Sequence, residues 1–138
     1  MNNKKKGFTL IELLVVVAII GLLSTLSIVA LNNARARSRD ARRVADVKQI
    51  QTALELYYND NNSYPATIGT SIVNPSASST IYMAQVPTAP LPADGSCTTN
   101  NTYTYAGSAS TYTLTYCIGS ATGGIAAGAH TASPAGIQ

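Results

Sequence analysis

The sequence predicts an α+β protein in which one long N-terminal α-helix, a stalk, precedes a small C-terminal antiparallel β-sheet head. Three observations predict this fold. An uncharged apolar run extends from Leu13 to Leu31. Apolar residues then recur at three- and four-residue steps as far as Leu54, and no proline precedes Pro65, as expected for a helix with one buried face. In the last third of the chain, Tyr and Thr alternate with period two, which is typical of half-buried strands.

The apolar run is long enough to cross a membrane. As a helix it would extend about 28 Å at 1.5 Å per residue, against a hydrocarbon core of about 30 Å. A secretory signal peptide usually has an apolar core of only about 7–15 residues. The run alone therefore leaves a plain membrane anchor open. Glu12 argues for more than an anchor, because an ionisable group at a membrane segment is rare, usually paired and by default functional.

The segment that leads into the run reads Gly7-Phe8-Thr9-Leu10-Ile11-Glu12-Leu13 and follows Lys4, Lys5 and Lys6. It resembles the prepilin peptidase recognition motif of type IV pilins and type II secretion pseudopilins. In that family the leader is removed after the glycine, which corresponds to the Gly7–Phe8 bond, and the new N-terminus, Phe8, is N-methylated. The resemblance implies that the apolar helix is retained, first as an inner-membrane anchor and then as the core of a filament.

The resemblance divides the chain into three parts. We expect a leader at 1–7, an N-terminal helix at 8–58 and a β head at 59–138. Within the helix, residues 8–31 are the expected transmembrane segment and filament core, and 32–58 are the amphipathic part under the head. Its predicted buried face comprises Ala34, Ala41, Val44, Val47, Ile50 or Gln51, and Leu54.

The helix is predicted to end near Tyr58. The turn-forming residues Asn59-Asp60-Asn61-Asn62-Ser63 follow, and Pro65 cannot continue a helix. The sequence around this end also resembles the stalk end of many pilins.

Glu12 is the residue that the family's assembly chemistry requires. Cleavage would create an ammonium group on Phe8, and an unpaired charge among apolar helices costs several kcal/mol. Pairing Phe8 of an incoming subunit with Glu12 of its neighbour would relieve both charges and set the axial register. The competing interpretation is an accidental glutamate at the membrane interface.

The formal net charge of +3 is carried by the three leader lysines. Every Lys and Arg lies at or before Lys48, and only Glu55, Asp60 and Asp94 are charged beyond it. A nucleic-acid-binding head needs basic residues to neutralise phosphates. We therefore expect no nucleic-acid binding by the head.

Five arginines directly after the apolar run have an ambiguous role; they are Arg35, Arg37, Arg39, Arg42 and Arg43. The positive-inside rule would place them in the cytoplasm, which is the reverse of pilin topology, and we give the motif precedence. They are interpreted first as a solvated helix face that Asp40 and Asp46 partly compensate. Contact with lipid head groups and contact with acidic residues of neighbouring subunits remain open.

The head is predicted to contain a β-hairpin built from Tyr103–Tyr105 and Tyr112–Ile118, with Tyr112 and its alternate neighbours facing the helix. Residues 66–96 are interpreted as an irregular connector with short strands, and the tail from Gly119 as a last strand or a surface loop.

The only two cysteines, Cys97 and Cys117, are expected to form a disulfide, because an even count in an exported chain favours one. The pair also resembles the C-terminal disulfide loop of many pilins. His130 is the only histidine, so we expect no catalytic residues, metal or cofactor. Calcium is not expected, because Asp94 is the only head carboxylate after Asp60.

These features predict a non-enzymatic structural subunit of a type IV pilus-like filament that serves adhesion, motility or DNA uptake. Its expected partners are prepilin peptidase, the pilus assembly machinery and further copies of itself in a helical filament. We expect it in the inner membrane before assembly and then in an extracellular pilus on the cell surface. Two alternatives are a type II secretion pseudopilin and an unprocessed, single-span surface protein.

Overall fold

The computed structural model describes residues 7–76 and 80–138. Apart from Gly7, the predicted leader lies outside the described residues. The elements are a helix α1 (Leu10–Asn61), six strands β1–β6, and a short 3-10 turn (Gly95–Cys97) between β2 and β3. The strands are β1 (Ile72–Val73), β2 (Ile81–Met83), β3 (Thr104–Gly107), β4 (Tyr112–Ile118), β5 (Gly128–Ser133) and β6 (Gly136–Ile137). The predicted α+β fold, a long N-terminal helix followed by antiparallel sheets, is confirmed.

The chain forms two compact units, one ending at Arg35 and one comprising Ala36–Gln138. The first unit contains the apolar part of α1. The second contains the rest of the helix and all six strands.

Helix α1 begins at Leu10 and ends at Asn61, slightly later at each end than the predicted Phe8 and Tyr58. Side-chain contacts explain the extension at the C-terminal end. The amide Nδ2 of Asn61 donates to the carbonyl of Tyr57 at 2.9 Å, and Asp60 accepts from the hydroxyl of Tyr82 at 2.8 Å. The helix stops where Asn62 adopts a left-handed conformation with φ 53°, which Asn tolerates better than most residues.

The head contains a four-stranded antiparallel sheet in the order β3-β4-β5-β6. The predicted hairpin is present as β3 and β4, with Tyr105 opposite Leu114. The tail, for which a strand and a loop were both open, forms β5 and β6. Strands β1 and β2 make a separate two-stranded antiparallel sheet within the predicted connector.

Strand β4 supplies the centre of the head core. Tyr112, Leu114, Tyr116 and Ile118 are buried, whereas Thr113 and Thr115 between them are exposed, as the alternation of a strand dictates. These side chains join a buried cluster to which the helix contributes Val47, Ile50, Ala53, Leu54 and Tyr57.

The prediction of which helix residues are buried is partly wrong. Ala34 and Ala41 are exposed, and the buried face instead continues through Asp40 and Arg43. Charged side chains can replace apolar ones here because each is paired inside the head, as described below.

A disulfide joins Cys97 of the 3-10 turn to Cys117 of β4. Both cysteines are buried, although the alternation of β4 places Cys117 on the face opposite Tyr112. The bond therefore attaches the loop before β3 to the central strand.

Replacing both cysteines with serine should lower the free energy of unfolding of the head by about 3 kcal/mol, because the bond closes a loop of 20 residues. Guanidinium denaturation followed by near-UV circular dichroism measures this loss. Thiol reduction of the natural chain should cause a similar loss. A change below about 0.5 kcal/mol in both experiments would show that the bond contributes little.

Candidate functional site

The first candidate site is the N-terminal end of α1, which holds the predicted residues Gly7, Phe8 and Glu12. Glu12 Oε2 accepts from the Thr9 backbone N–H at 2.9 Å and from the Thr9 hydroxyl at 2.8 Å. The Glu12 backbone N–H lies 3.3 Å from Thr9 Oγ1 and donates to it. These reciprocal bonds form a capping box, which satisfies backbone donors that the first turn of a helix leaves free.

Thr9 is not among the predicted site residues, although the sequence contains the signal for its role. A Thr followed three residues later by Glu, before an apolar run, is the capping-box pattern. Glu12 can therefore serve two purposes: it caps its own helix, and its carboxylate remains exposed. Phe8 is 85% exposed and makes no part of the cap.

The helix that follows presents an uncovered apolar surface. The large apolar side chains from Phe8 to Leu31 are all exposed, from 47% for Val16 to 85% for Phe8. The helix is long and apolar enough to cross a membrane. An apolar surface of this extent requires a lipid or protein environment to cover it.

The second candidate site is an ion-pair cluster formed by Arg39, Asp40, Arg43 and Asp94, in which the side chains of Arg39 and Asp94 remain 21% and 20% exposed. Arg43 and Asp40 are both 0% exposed. Arg43 Nη1 donates to Asp40 Oδ1 at 2.6 Å and to Asp94 Oδ1 at 3.3 Å. Arg39 donates to Asp94 through Nε at 3.0 Å and also through Nη2. The prediction of a solvated face is therefore wrong for Arg39 and Arg43, whereas Arg35, Arg37 and Arg42 are exposed.

The cluster ties the helix to three separate loops of the head. Arg43 Nη2 donates to the carbonyl of Pro90 at 3.2 Å and to Asn101 Oδ1 at 2.8 Å. The two oxygens of Asp40 accept from the backbone N–H groups of Gly119 and Ser120, each at 2.8 Å.

A glycine at 119 fits this close approach. A Cβ there would lie 2.8 Å from the carbonyl oxygen of Asp94. The sequence signals for the cluster were the i,i+3 spacing of Asp40 and Arg43 and the isolated carboxylate of Asp94 in an otherwise uncharged region.

Further helix carboxylates accept from head tyrosines. The hydroxyl of Tyr103 lies 3.0 Å from Asp46 Oδ2, and that of Tyr64 lies 2.9 Å from Glu55 Oε1. Burial, together with the nearby carboxylates, raises the pKa of Tyr103 and Tyr64. Burial also raises the pKa of Tyr105 to about 12.

The raised pKa values of these tyrosines predict that the head loses stability at alkaline pH. A phenol whose pKa is raised on folding stabilises the fold fully below its unfolded pKa of about 10. That contribution disappears as the pH rises through the folded value, about 12 for Tyr105. We expect the head to unfold in this range, with tyrosinate absorbance appearing together with loss of near-UV circular dichroism.

The variant Tyr105→Phe should move this alkaline transition to higher pH, because it removes one of the phenols that release a proton on unfolding. Tyrosinate absorbance that rises well before any loss of structure would contradict the assignment.

No metal site is evident in residues 7–76 and 80–138, where no three His, Cys, Asp or Glu side chains gather to hold an ion. Asp40 and Asp94 do lie together, but Arg39 and Arg43 occupy their oxygens. The ring nitrogens of His130 lie 3.1 Å from the carbonyl of Gln138 and 2.8 Å from that of Ala126.

The arrangement defines a class of protein. It combines a small disulfide-containing β head with an exposed apolar helix whose capped end carries a single carboxylate. Such a chain needs a membrane, or other protein surfaces, to cover its helix.

Comparisons with known proteins find similarity over part of this chain. A family model described as the prokaryotic N-terminal methylation motif matches residues 2–28. The chain is 37% identical over 66 residues to the type II secretion system core protein G of Escherichia coli (strain K12), which covers 48% of this chain and 46% of that protein. It is 47% identical over 55 residues to the type IV major fimbrial protein FimA of Dichelobacter nodosus, which covers 40% and 35%. No solved structure matches the chain.

The chain carries the methylation motif and is similar over part of its length to a type II secretion protein and a type IV fimbrial protein, in agreement with the resemblance of its N-terminal segment. The matched part spans less than half of the length of these curated relatives. The names of these relatives describe a secretion-system core protein and a fimbrial protein, and neither name is that of an enzyme.

Proposed function

We propose that this chain is a structural subunit of a type IV pilus-like filament. Prepilin peptidase removes a leader at the Gly7–Phe8 bond, and Phe8 is then N-methylated. Residues 8–31 hold the subunit in the inner membrane until the assembly machinery moves it into an extracellular filament. The uncovered apolar helix carries this proposal, because both the bilayer and a bundle of further copies would bury its exposed side chains.

Glu12 would pair with the methylated ammonium group of Phe8 on a neighbouring copy. The exposed carboxylate supports this proposal, because Thr9 is the only side chain within the described residues that donates to it. A carboxylate can accept further hydrogen bonds through its other oxygen. The cap would keep Glu12 at the helix end in a fixed position before the partner arrives.

Two observations favour a pilus over the short filament of a secretion system. The head contains a disulfide loop, which resembles that of many pilins. Some pseudopilins bind calcium in the head, whereas Asp94, the only head carboxylate after Asp60, is here paired with Arg39 and Arg43. The pseudopilin alternative is supported by the similarity to the type II secretion system core protein G. The filament's role in adhesion, motility or DNA uptake depends on its partners.

Mass spectrometry of the native protein tests processing. We expect an N-terminus at methylated Phe8, whereas a mature protein that retains Met1 or Asn2 would overturn the proposal in favour of an unprocessed surface protein. Electron microscopy of sheared surface material tests assembly. Long surface filaments at the natural expression level would support a pilus, and their absence would support a pseudopilus.

A further inference from the structure

The structure separates the five arginines after the apolar run into two groups. Arg39 and Arg43 turn into the head, where they bind Asp40 and Asp94. Arg35, Arg37 and Arg42 are exposed. None of these three forms a salt bridge within the part of the chain that the structure describes. Of the three, Arg35 and Arg37 lie nearest to the apolar run.

We propose that Arg35 and Arg37 bind the head groups of anionic phospholipids in the periplasmic leaflet of the inner membrane before assembly. This inference rests on the proposed function, in which residues 8–31 span that membrane. It assigns a role to arginines that the head does not use.

Their distance from the apolar run places Arg35 within the head-group layer and Arg37 just outside it. Arg35 follows Leu31 by four residues and Arg37 by six, which corresponds to about 6 Å and 9 Å along a helix. The head-group layer is roughly 5–8 Å thick on each side of the hydrocarbon core. Long arginine side chains can bend toward a nearby interface, so both guanidinium groups can reach the phosphates.

The chemistry of the two partners is complementary. A guanidinium group binds a phosphate through two parallel hydrogen bonds and is not deprotonated at physiological pH. Each basic residue beside an anionic membrane surface strengthens binding roughly fivefold. Because Arg35 and Arg37 are two residues apart, they point to different sides of the helix and can hold two separate lipids.

This contact also accounts for the unusual charge distribution. The positive-inside rule disfavours arginines on the periplasmic side of a span, and the proposed topology places five there. Two of them are neutralised inside the head, and lipid phosphates would neutralise the next two. The orientation of the leader and the positions of the arginines are then compatible.

The test uses the full chain reconstituted in nanodiscs of mixed phosphatidylcholine and phosphatidylglycerol. Lipids that remain bound after detergent extraction are counted by mass spectrometry. We expect phosphatidylglycerol to be enriched over its bulk fraction with the natural chain. The double variant Arg35→Gln/Arg37→Gln should return the phosphatidylglycerol fraction of the retained lipid to its bulk value.

Lys48→Gln provides the matched control. Lys48 is exposed and follows Leu31 by 17 residues, about 26 Å along a helix, beyond the head groups. Its loss should leave the enrichment unchanged. An equal loss with Lys48→Gln would indicate a general charge effect and overturn the proposal.

Two further outcomes separate this inference from the proposed function. A chain that inserts into nanodiscs without enriching phosphatidylglycerol overturns only the lipid contact. A chain that does not insert overturns both. If the double variant changes association between copies while lipid retention stays the same, the arginines bind a neighbouring subunit and the lipid proposal is wrong.

Discussion

Replacing Arg43 with alanine is expected to destabilise the head by about 3–5 kcal/mol. The substitution leaves Asp40, which is 0% exposed, without its ion-pair partner. It also leaves Asn101 Oδ1 without the Arg43 donor, whereas the Pro90 carbonyl keeps its bond from Asn101 Nδ2. Domains of this size are stable by only about 5–15 kcal/mol. Urea denaturation of the full chain in detergent, followed by tyrosine fluorescence, measures the loss.

Arg42→Ala is the matched control for this experiment. Arg42 is the adjacent residue, carries the same side chain and is exposed, so its loss should change stability by no more than about 0.5 kcal/mol. Equal effects of the two substitutions would contradict the importance of the ion-pair cluster.

A double-mutant cycle with Asp40→Asn then isolates the interaction free energy between Asp40 and Arg43. Asn at position 40 keeps an acceptor for the backbone N–H groups at Gly119 and removes the charge. Arg43→Met should therefore lower the free energy of unfolding less in the Asp40→Asn background than in the natural chain. Strict additivity would show that the two charges do not act on each other.

Replacing Glu12 with alanine is expected to lower filament yield more than about a hundredfold while leaving the Gly7–Phe8 bond cleavable. In the proposed assembly, the substitution leaves the ammonium group of a neighbouring Phe8 unpaired among apolar helices, at a cost of about 3–5 kcal/mol, and each 1.4 kcal/mol is a factor of ten. Quantifying sheared filaments by immunoblot measures the yield, and mass spectrometry reports cleavage and N-methylation.

Thr9→Val separates the two roles of Glu12. It removes the hydroxyl that binds Glu12 Oε2 and disrupts the cap, which is worth about 0.5–2 kcal/mol, but it keeps the carboxylate. We expect substantial assembly with Thr9→Val. If Thr9→Val lowers filament yield as much as Glu12→Ala does, assembly requires Glu12 for helix capping and not for charge pairing. Normal yield with Glu12→Ala would show that assembly requires neither role.

Elements with local sequence signals could be predicted without the structure. The apolar run and the spacing up to Leu54 predicted one long helix, because a helix repeats every 3.6 residues. The alternation from Tyr112 to Ile118 predicted the central strand, because a strand repeats every two. The segment from Gly7 to Glu12 predicted the family, because its leader, glycine and glutamate have a fixed spacing.

Which residues of the amphipathic helix are buried depends on tertiary contacts that periodicity does not reveal. Periodicity assigned Ala41 to the core and the arginines to solvent, whereas the structure buries Asp40 and Arg43 and exposes Ala41. A charge can be buried only when its partners are present, and those partners, Asp94, Asn101 and Gly119, lie more than fifty residues away in loops without periodic patterns. The sequence contained both halves of the cluster, but folding was needed to bring them together.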